Sequence, residues 1–274
     1  MKGFDTVRFN SITELGEHVQ MLEQNPDLPR AGNASRDTYN PENYGNMNMS
    51  TAITTALNGG NWREGADAMP KLEVPHETLS GGAIPEQAMF SDVQGFAPIV
   101  PAYLAGLPDN MLAFDEVEVE KRLKIGVQVG RRFDSEQHHA LNKGAAIMSV
   151  LSQLALEGYS LEIWAIWRNQ DGRSKASIET CIKTSDTPFS SESIAFSLAH
   201  VAFQRRLCWR VAESLTDGGE KMTLEGYGNG KDSPMDDFDI GFGYLSNKGK
   251  YSTPEKAVAT IKELALEQLQ GLEK

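Results

Sequence analysis

Between residues 121 and 215 the spacing of apolar residues switches from a period of 2 to one of 3.6 and back, and this limits the fold more than any other feature. Leu123, Ile125, Val127 and Val129 alternate with Arg122, Lys124, Gly126 and Gln128, so Leu123–Gly130 reads as a strand with one apolar face. Ala140–Tyr159 reads as a helix: Gly144, Ile147, Leu151 and Leu154 share one side, and Asn142, Ser149 and Gln153 oppose them. Gly158 suits the position just past its end. The stretch SLEIWAIWR, Ser160–Arg168, is apolar on both faces and reads as a buried strand. A turn at Asp171-Gly172 leads into a third strand, Lys175–Thr184, and a long helix, Ser191–Leu215, follows. The order β-α-β-β-α predicts an α/β (α+β) fold, a mixed sheet with helices packed on it.

The flanks divide the chain into an N-terminal, mainly helical or irregular part, 1–110, and an α/β core, 111–274, which can also form one integrated domain. Thr6–Phe9 reads as a short strand before a helix, with Ser11 as N-cap and Glu14 three positions on. Residues 25–49 are rich in Asn, Pro and Gly and read as a flexible loop unable to fill a core. Helices are expected over 50–58 and 61–70, around Gly59-Gly60. A Gly/Asp-rich loop, 217–239, precedes a strand at 240–246, and Thr253 caps a last helix with Pro254 in its first turn.

The formal net charge is −12, unevenly spread: −12 over residues 1–120, +4 over 121–216 and −4 over 217–274. A basic middle between acidic flanks points either to an anionic partner or to flanks that fold back and neutralise it. The N-terminus has no apolar signal region, and the apolar runs are too short for a membrane span. Cys181 and Cys208 lie far apart with no CxxC, which points to a reducing, cytoplasmic setting without a cysteine zinc site.

Catalytic signatures are sparse. Beyond the first core strand stands Val129-Gly130-Arg131-Arg132-Phe133-Asp134, with neither a dinucleotide fingerprint nor a phosphate loop. The metal loop of a von Willebrand type A fold, DxSxS, would also fall here, but arginines take the place of its first acid. His138-His139 lacks a metal-binding frame and reads as a surface pair, and the acids between Asp232 and Asp239 lack calcium-loop spacing. No G-x-S-x-G elbow is present. No cofactor, metal or catalytic residue is therefore assigned.

The basic middle carries the two ingredients of single-stranded nucleic-acid binding, cations for phosphates and flat rings for bases. The candidates are Arg122, Lys124, Arg131, Arg132, Trp164, Arg168, Arg173, Lys175, Lys183, Arg206 and Arg210. Trp164 and Trp167 also read as core, which is where tryptophans of a buried strand more often lie. Within AFQRRLCWR, an α-helical wheel puts Arg205 on the apolar side of Ile194, where it needs a structural partner. The same wheel leaves Arg206 and Arg210 between two apolar stripes, available to an anion or a subunit interface.

The stretches NMLAFDEVEVEKRLKIGVQVG and KGAAIMSVLSQLALEGYSLEIWAIW resemble a family of phage single-stranded-DNA-binding transcription regulators, from lytic podoviruses that encode their own early RNA polymerase. The resemblance covers mainly residues 110–215. It implies a non-enzymatic, oligomeric regulator in the infected host cytoplasm, with single-stranded DNA and a phage-encoded RNA polymerase as partners. Two other readings stand beside it: a nucleotide- or phosphoester-processing enzyme using a crevice near Gly130, and an interaction protein with an arginine-rich subunit interface.

Overall fold

The computed structural model describes residues 5–25, 41–69, 89–92, 97–98, 103–104, 107, 111–114, 121–131, 136–171, 174–188, 190–215, 235–245 and 248–272; of these, residues 89–92, 97–98, 111–114, 170–171, 174–175 and 248 are described through their backbone alone. The expected α/β fold is present. Strand β1 (Asp5–Phe9) and helix α1 (Ile12–Gln24) come first, then a 3-10 turn (Pro41–Tyr44) and helices α2 (Met49–Leu57) and α3 (Arg63–Ala68). A small antiparallel sheet follows, made of β2 (Met89–Asp92), β3 (Ala97–Pro98) and β4 (Met111–Phe114) in the order β2-β4-β3.

The central sheet has the order β1-β7-β6-β5-β8. It is built from β5 (Lys121–Gln128), β6 (Tyr159–Asp171), β7 (Ser174–Lys183), the short β8 (Ile240–Phe242) and β1. Strands β5, β6 and β8 are parallel, β6 and β7 form an antiparallel hairpin, and β1 runs parallel to β7 at the edge. Helix α4 (Gln137–Leu156) makes the crossover from β5 to β6, as a parallel pair requires. It ends at Gly158, whose φ of +85° is the left-handed turn expected there. The N-terminal part thus supplies an edge strand to the core sheet rather than standing apart from it.

The pleat sorts the side chains. Leu123, Ile125 and Val127 of β5 share one buried cluster with Leu161, Ile163 and Ala165 of β6. Ile147, Leu151 and Leu154 of α4 join it, with Ala257, Ile261 and Leu269 of the last helix, α7 (Pro254–Leu272). Each such leucine, isoleucine or valine side chain contributes about 1.5–3 kcal/mol of transfer free energy. On the opposite face Gly126 leaves room for Phe238: a Cβ there would come within 2.8 Å of that ring and of Ile166. Asp239 anchors the same segment, accepting from the Lys124 amide at 2.7 Å.

Ser11 caps α1 by accepting from the Glu14 amide at 3.0 Å, and the Glu14 carboxylate reaches back as in a capping box, but to the amide of Asn10, one residue before the cap, at 2.6 Å. Three expectations need correction. Residues 26–40 of the presumed loop 25–49 lie outside the described residues, but Tyr44 and Met49 are buried and belong to the main hydrophobic cluster, with Arg206 lying over the Tyr44 ring. His139 is buried, with only His138 at the surface beside Glu136. The helix at 191–215 is not continuous. It consists of α5 (Ser191–Ile194), a π-helical turn (Ala195–Ala199), an extended residue at His200, a second π-helical stretch (Phe203–Cys208) and α6 (Trp209–Ser214). Bonding from i to i+5 shifts the phase of every side chain beyond it, so an α-helical wheel misplaces them. Among the described residues, no helix is long and apolar enough to cross a membrane.

Candidate functional site

The expected cationic band does not lie uncovered across the sheet. Arg168 is buried, donating through Nε to the Ser177 hydroxyl at 3.2 Å and through Nη2 to the Glu179 carboxylate at 3.1 Å. Lys183 is buried and donates to the Leu161 and Thr184 carbonyls at 3.0 and 2.8 Å. Arg206 lies 3.8 Å over the Tyr44 ring and donates to the Met47 carbonyl. Arg210 is fully buried against Glu23 and the Leu22 carbonyl. These four are structural ties, and the wheel-based assignment of Arg206 and Arg210 to an anion is corrected by the π-helical phase. Arg132 and Arg173 lie outside the described residues, and Lys175 is described only by its backbone pairing with Gln170. Arg122 is exposed; Lys124 is half-buried, between the rings of Trp164 and Phe238 at 5.4 and 5.1 Å. Trp164 is half-buried, whereas Trp167 belongs to the core.

The remaining candidate, Arg131, stands in a different setting. Strand β5 is followed through α4 by β6 on one side and has β8 on its other side, so the carboxyl ends of β5 and β8 flank a topological switch point, where open α/β sheets form a crevice. Lys143 of α4 fastens the two ends, donating to the Gln128 carbonyl at 2.9 Å and to the Gly243 carbonyl at 2.7 Å. Beyond them Arg131 pairs with Leu245 in an isolated bridge. The π-helical turns bring Leu198, His200 and Gln204 onto the opposite wall. The crevice is small: its cavity volume is about 10 Å³, room for about one water.

The electrostatics are unusual. Arg131 is 7% exposed. Its Nη2 donates to the Gln137 side chain at 3.1 Å, while Nε and Nη1 are buried with no partner. Nearby, Arg205 donates through Nη1 to the Asn43 carbonyl at 2.7 Å, and its buried Nε has no partner. Among the described residues neither arginine makes an ion pair. Burial, and then the charge of Arg205, pull the Arg131 pKa down to about 9, which still leaves the guanidinium protonated at neutral pH. An uncompensated buried charge costs about 3–5 kcal/mol. The sequence pointed to the place through Gly130, but not to Lys143, His200 or Gln204. A lysine on the buried side of α4, and a histidine inside an apolar helix, were the signals available.

His200 adds a pH-sensitive group. Its Nδ1 accepts from the Ala202 amide at 3.0 Å, which puts the proton of the neutral ring on Nε2. Burial, and then the charge of Arg131, lower its pKa from 6.5 to about 4. The unfolded chain takes up this proton near pH 6.5 and the folded chain only near 4, so the neutral ring's contribution is complete above 6.5 and is lost as pH falls through that window. Replacing His200 with Asn is expected to flatten the pH dependence of Tm between pH 6.5 and 5, relative to the unaltered chain; parallel profiles would refute this.

The model of one protein family, described as Domain of unknown function (DUF7192), matches residues 5–269. The chain belongs to the DUF7192 family. No curated protein and no solved structure matches it. The family match takes in β1, the whole central sheet and most of α7, so the crevice lies well inside it.

Proposed function

We propose that this chain is a non-enzymatic binding protein that takes up an anionic group of its partner in the crevice at the carboxyl ends of β5 and β8. The carrying observation is the Arg131 guanidinium, buried there with two unpartnered nitrogens. A cation kept out of water without an acid is a stability cost that a bound anion would offset. The single-stranded-DNA reading is proposed in this narrower form, with a phosphate of the strand held at Arg131 rather than along a band of surface cations. The crevice is also where a phosphoester-processing site was expected. Among the described residues lining it there is no hydroxyl, thiol or carboxylate side chain to act as nucleophile, which favours binding over catalysis.

A site maintained against stability is revealed by its removal. Arg131→Met is expected to raise the ligand-free unfolding free energy by about 1–4 kcal/mol, as apolar replacement of buried charges does elsewhere. The same change should abolish binding of fluorescein-labelled single-stranded DNA measured by anisotropy. Urea denaturation checks the first outcome, and a variant less stable than the original chain would count against the proposal.

A further inference from the structure

Residues 191–214 contain neither glycine nor proline, and their apolar spacing specifies one unbroken α-helix. The structure instead has a π-helical turn, an extended residue at His200 (φ −79°, ψ 126°) and a second helical run over 201–214 that opens in π form. Such π-helical turns are rare, and they are found frequently at functional sites. The ring of His200 holds this break open. His200 stands at the N-cap of the second run, and its Nδ1 accepts from the Ala202 amide, two residues on, at 3.0 Å. An imidazole can cap a helix in this way only while Nδ1 carries no proton. We propose that residues 195–208 are an acid-sensitive switch: protonation of His200 removes the cap, the break closes toward the unbroken α-helix, and the turn at 41–47 that packs on the ring is released.

Protonation and the break are incompatible for three reasons. A proton on Nδ1 would face the Ala202 N–H, donor against donor. The resulting cation would stand at a helix N-terminus, the positive end of the dipole. It would also meet the charge of Arg131, which faces the ring from beyond β5. Lys143 of α4 lines the same crevice, and no acid is among the described residues of that lining to balance a further cation. The other groups against the ring are uncharged: Trp62, edge-on at 4.3 Å before α3, Phe196 at 5.9 Å, and Gly45 of the turn.

The turn at 41–47 is the part placed to respond. Gly45, at a φ of +64°, lies directly on the ring: a Cβ there would stand 3.0 Å from His200 Cε1 and 2.9 Å from Val201 Cγ1. Beyond the cap, Arg205 and Arg206 reach the Asn43 and Met47 carbonyls of the same turn. A change of helical phase at His200 re-aims both arginines, so the contact and the two ties are lost together. His200 and Val201 also line the crevice, whose wall therefore moves with the switch. The switch stands whether or not the crevice takes an anion.

The test is amide hydrogen exchange of the full chain at pH 7 and pH 5, expressed as protection factors so that the intrinsic pH dependence of exchange cancels. A ring that takes its proton near pH 6.5 when released, and near 4 when held, shifts the balance toward release by about twentyfold between these two conditions. The amides of Gly45, Asn46 and Met47, bonded within the turn, should lose protection by about that factor at pH 5. Those of 201–208 and of β5 and β6 should keep theirs. His200→Asn, whose side-chain oxygen caps without titrating, should keep its pH 7 protection at pH 5. His200→Ala should show the loss already at pH 7. Unchanged protection in the unaltered chain at pH 5 would overturn the switch. Loss shared by 201–208 would overturn the helical end state, since the segment then frays instead of straightening. Loss extending to β5 and β6 would show acid unfolding of the whole chain and overturn a local switch. An undiminished acid response in His200→Asn would assign it to another group, and so overturn the proposal. Should His200→Ala fail to fold, His200→Asn against the unaltered chain decides alone.

Discussion

Replacing Glu179 with alanine is expected to lower the unfolding free energy by about 3–5 kcal/mol, the cost of stranding a buried partner charge. Glu179 is 2% exposed on β7 and joins two arginines from neighbouring strands. Its Oε2 accepts from Arg8 of β1 at 2.7 Å, and its Oε1 accepts from Arg168 of β6 at 3.1 Å and from the Ser177 hydroxyl at 3.1 Å. Three strands of the central sheet are thus cross-linked through one carboxylate. Arg8 is half in solvent and can rehydrate when the acid is removed, but Arg168 cannot, so most of the loss arises there. Asp237, 3.9 Å from Arg168 and largely exposed, offsets little of it. Burial pushes the Glu179 pKa up, but the hydrogen bonds from Arg8 and Arg168 outweigh this and hold it below the ordinary 4.5. With a depressed folded pKa, the network's contribution is complete above about 4.5 and is lost as pH falls below it. Urea titrations at pH 7 and at pH 3.5 should therefore show a smaller gap between Glu179→Ala and the unaltered chain at the lower pH, by at most about 1.4 kcal/mol. A pH 7 loss under about 1 kcal/mol would show that Arg168 finds another partner. The double replacement Arg168→Met with Glu179→Leu should recover most of the stability, because no unpaired charge is left behind.

The core of this fold is written locally. The hairpin of β6 and β7 follows from alternation on both sides of Asp171-Gly172, and α4 from its apolar stripe and Gly158; the cap of α1 follows from Ser11 and Glu14. Pairings between distant segments leave no such mark. Arg8 meets Glu179 across 171 residues, and neither residue's neighbourhood says so. Candidate cations were legible as cations but not as partners, since Arg168 and an exposed arginine look alike until the strand beside them is known. Trp164 and Trp167 are separated by the sheet's covering rather than by their sequence context. The crevice was located through the end of β5, but its chemistry depends on two π-helical turns. These alter which faces of residues 195–208 point inward, and a 3.6-residue period cannot express that.

The last of the large effects concerns the segment AFQRRLCWR. All three arginines turn toward the N-terminal part of the chain: Arg205 to the Asn43 carbonyl, Arg206 to the Met47 carbonyl and the Tyr44 ring, Arg210 to the Leu22 carbonyl and Glu23. The guanidinium suits this task because several donors in a rigid plane can meet carbonyl oxygens and a carboxylate at once, which an ammonium cannot do at the same reach. Arg210 is the tightest of the three, 0% exposed, with Nε 2.6 Å from the Glu23 carboxylate and Nη2 2.8 Å from the end of α1. A donor at that carbonyl also complements the negative end of the helix dipole. Arg210→Ala removes both bonds, opens a cavity and leaves the Leu22 carbonyl without this donor, so a loss of about 3–5 kcal/mol is expected. Arg210→Lys should retain part of it. Hydrogen exchange separates a local tie from a general core defect: amides of α1 should lose protection first, ahead of those in β5 and β6. Uniform loss across the sheet would mean that the arginine acts through the core rather than as a fastening for the N-terminal helices. Because acceptors of all three arginines include main-chain oxygen, at Leu22, Asn43 and Met47, those contacts are not announced by residue type, although Glu23 and Tyr44 are side-chain partners. An acidic chain can therefore hold a knot of arginines without any external anion to explain it, whereas Arg131 lines a crevice with two of its nitrogens unpartnered.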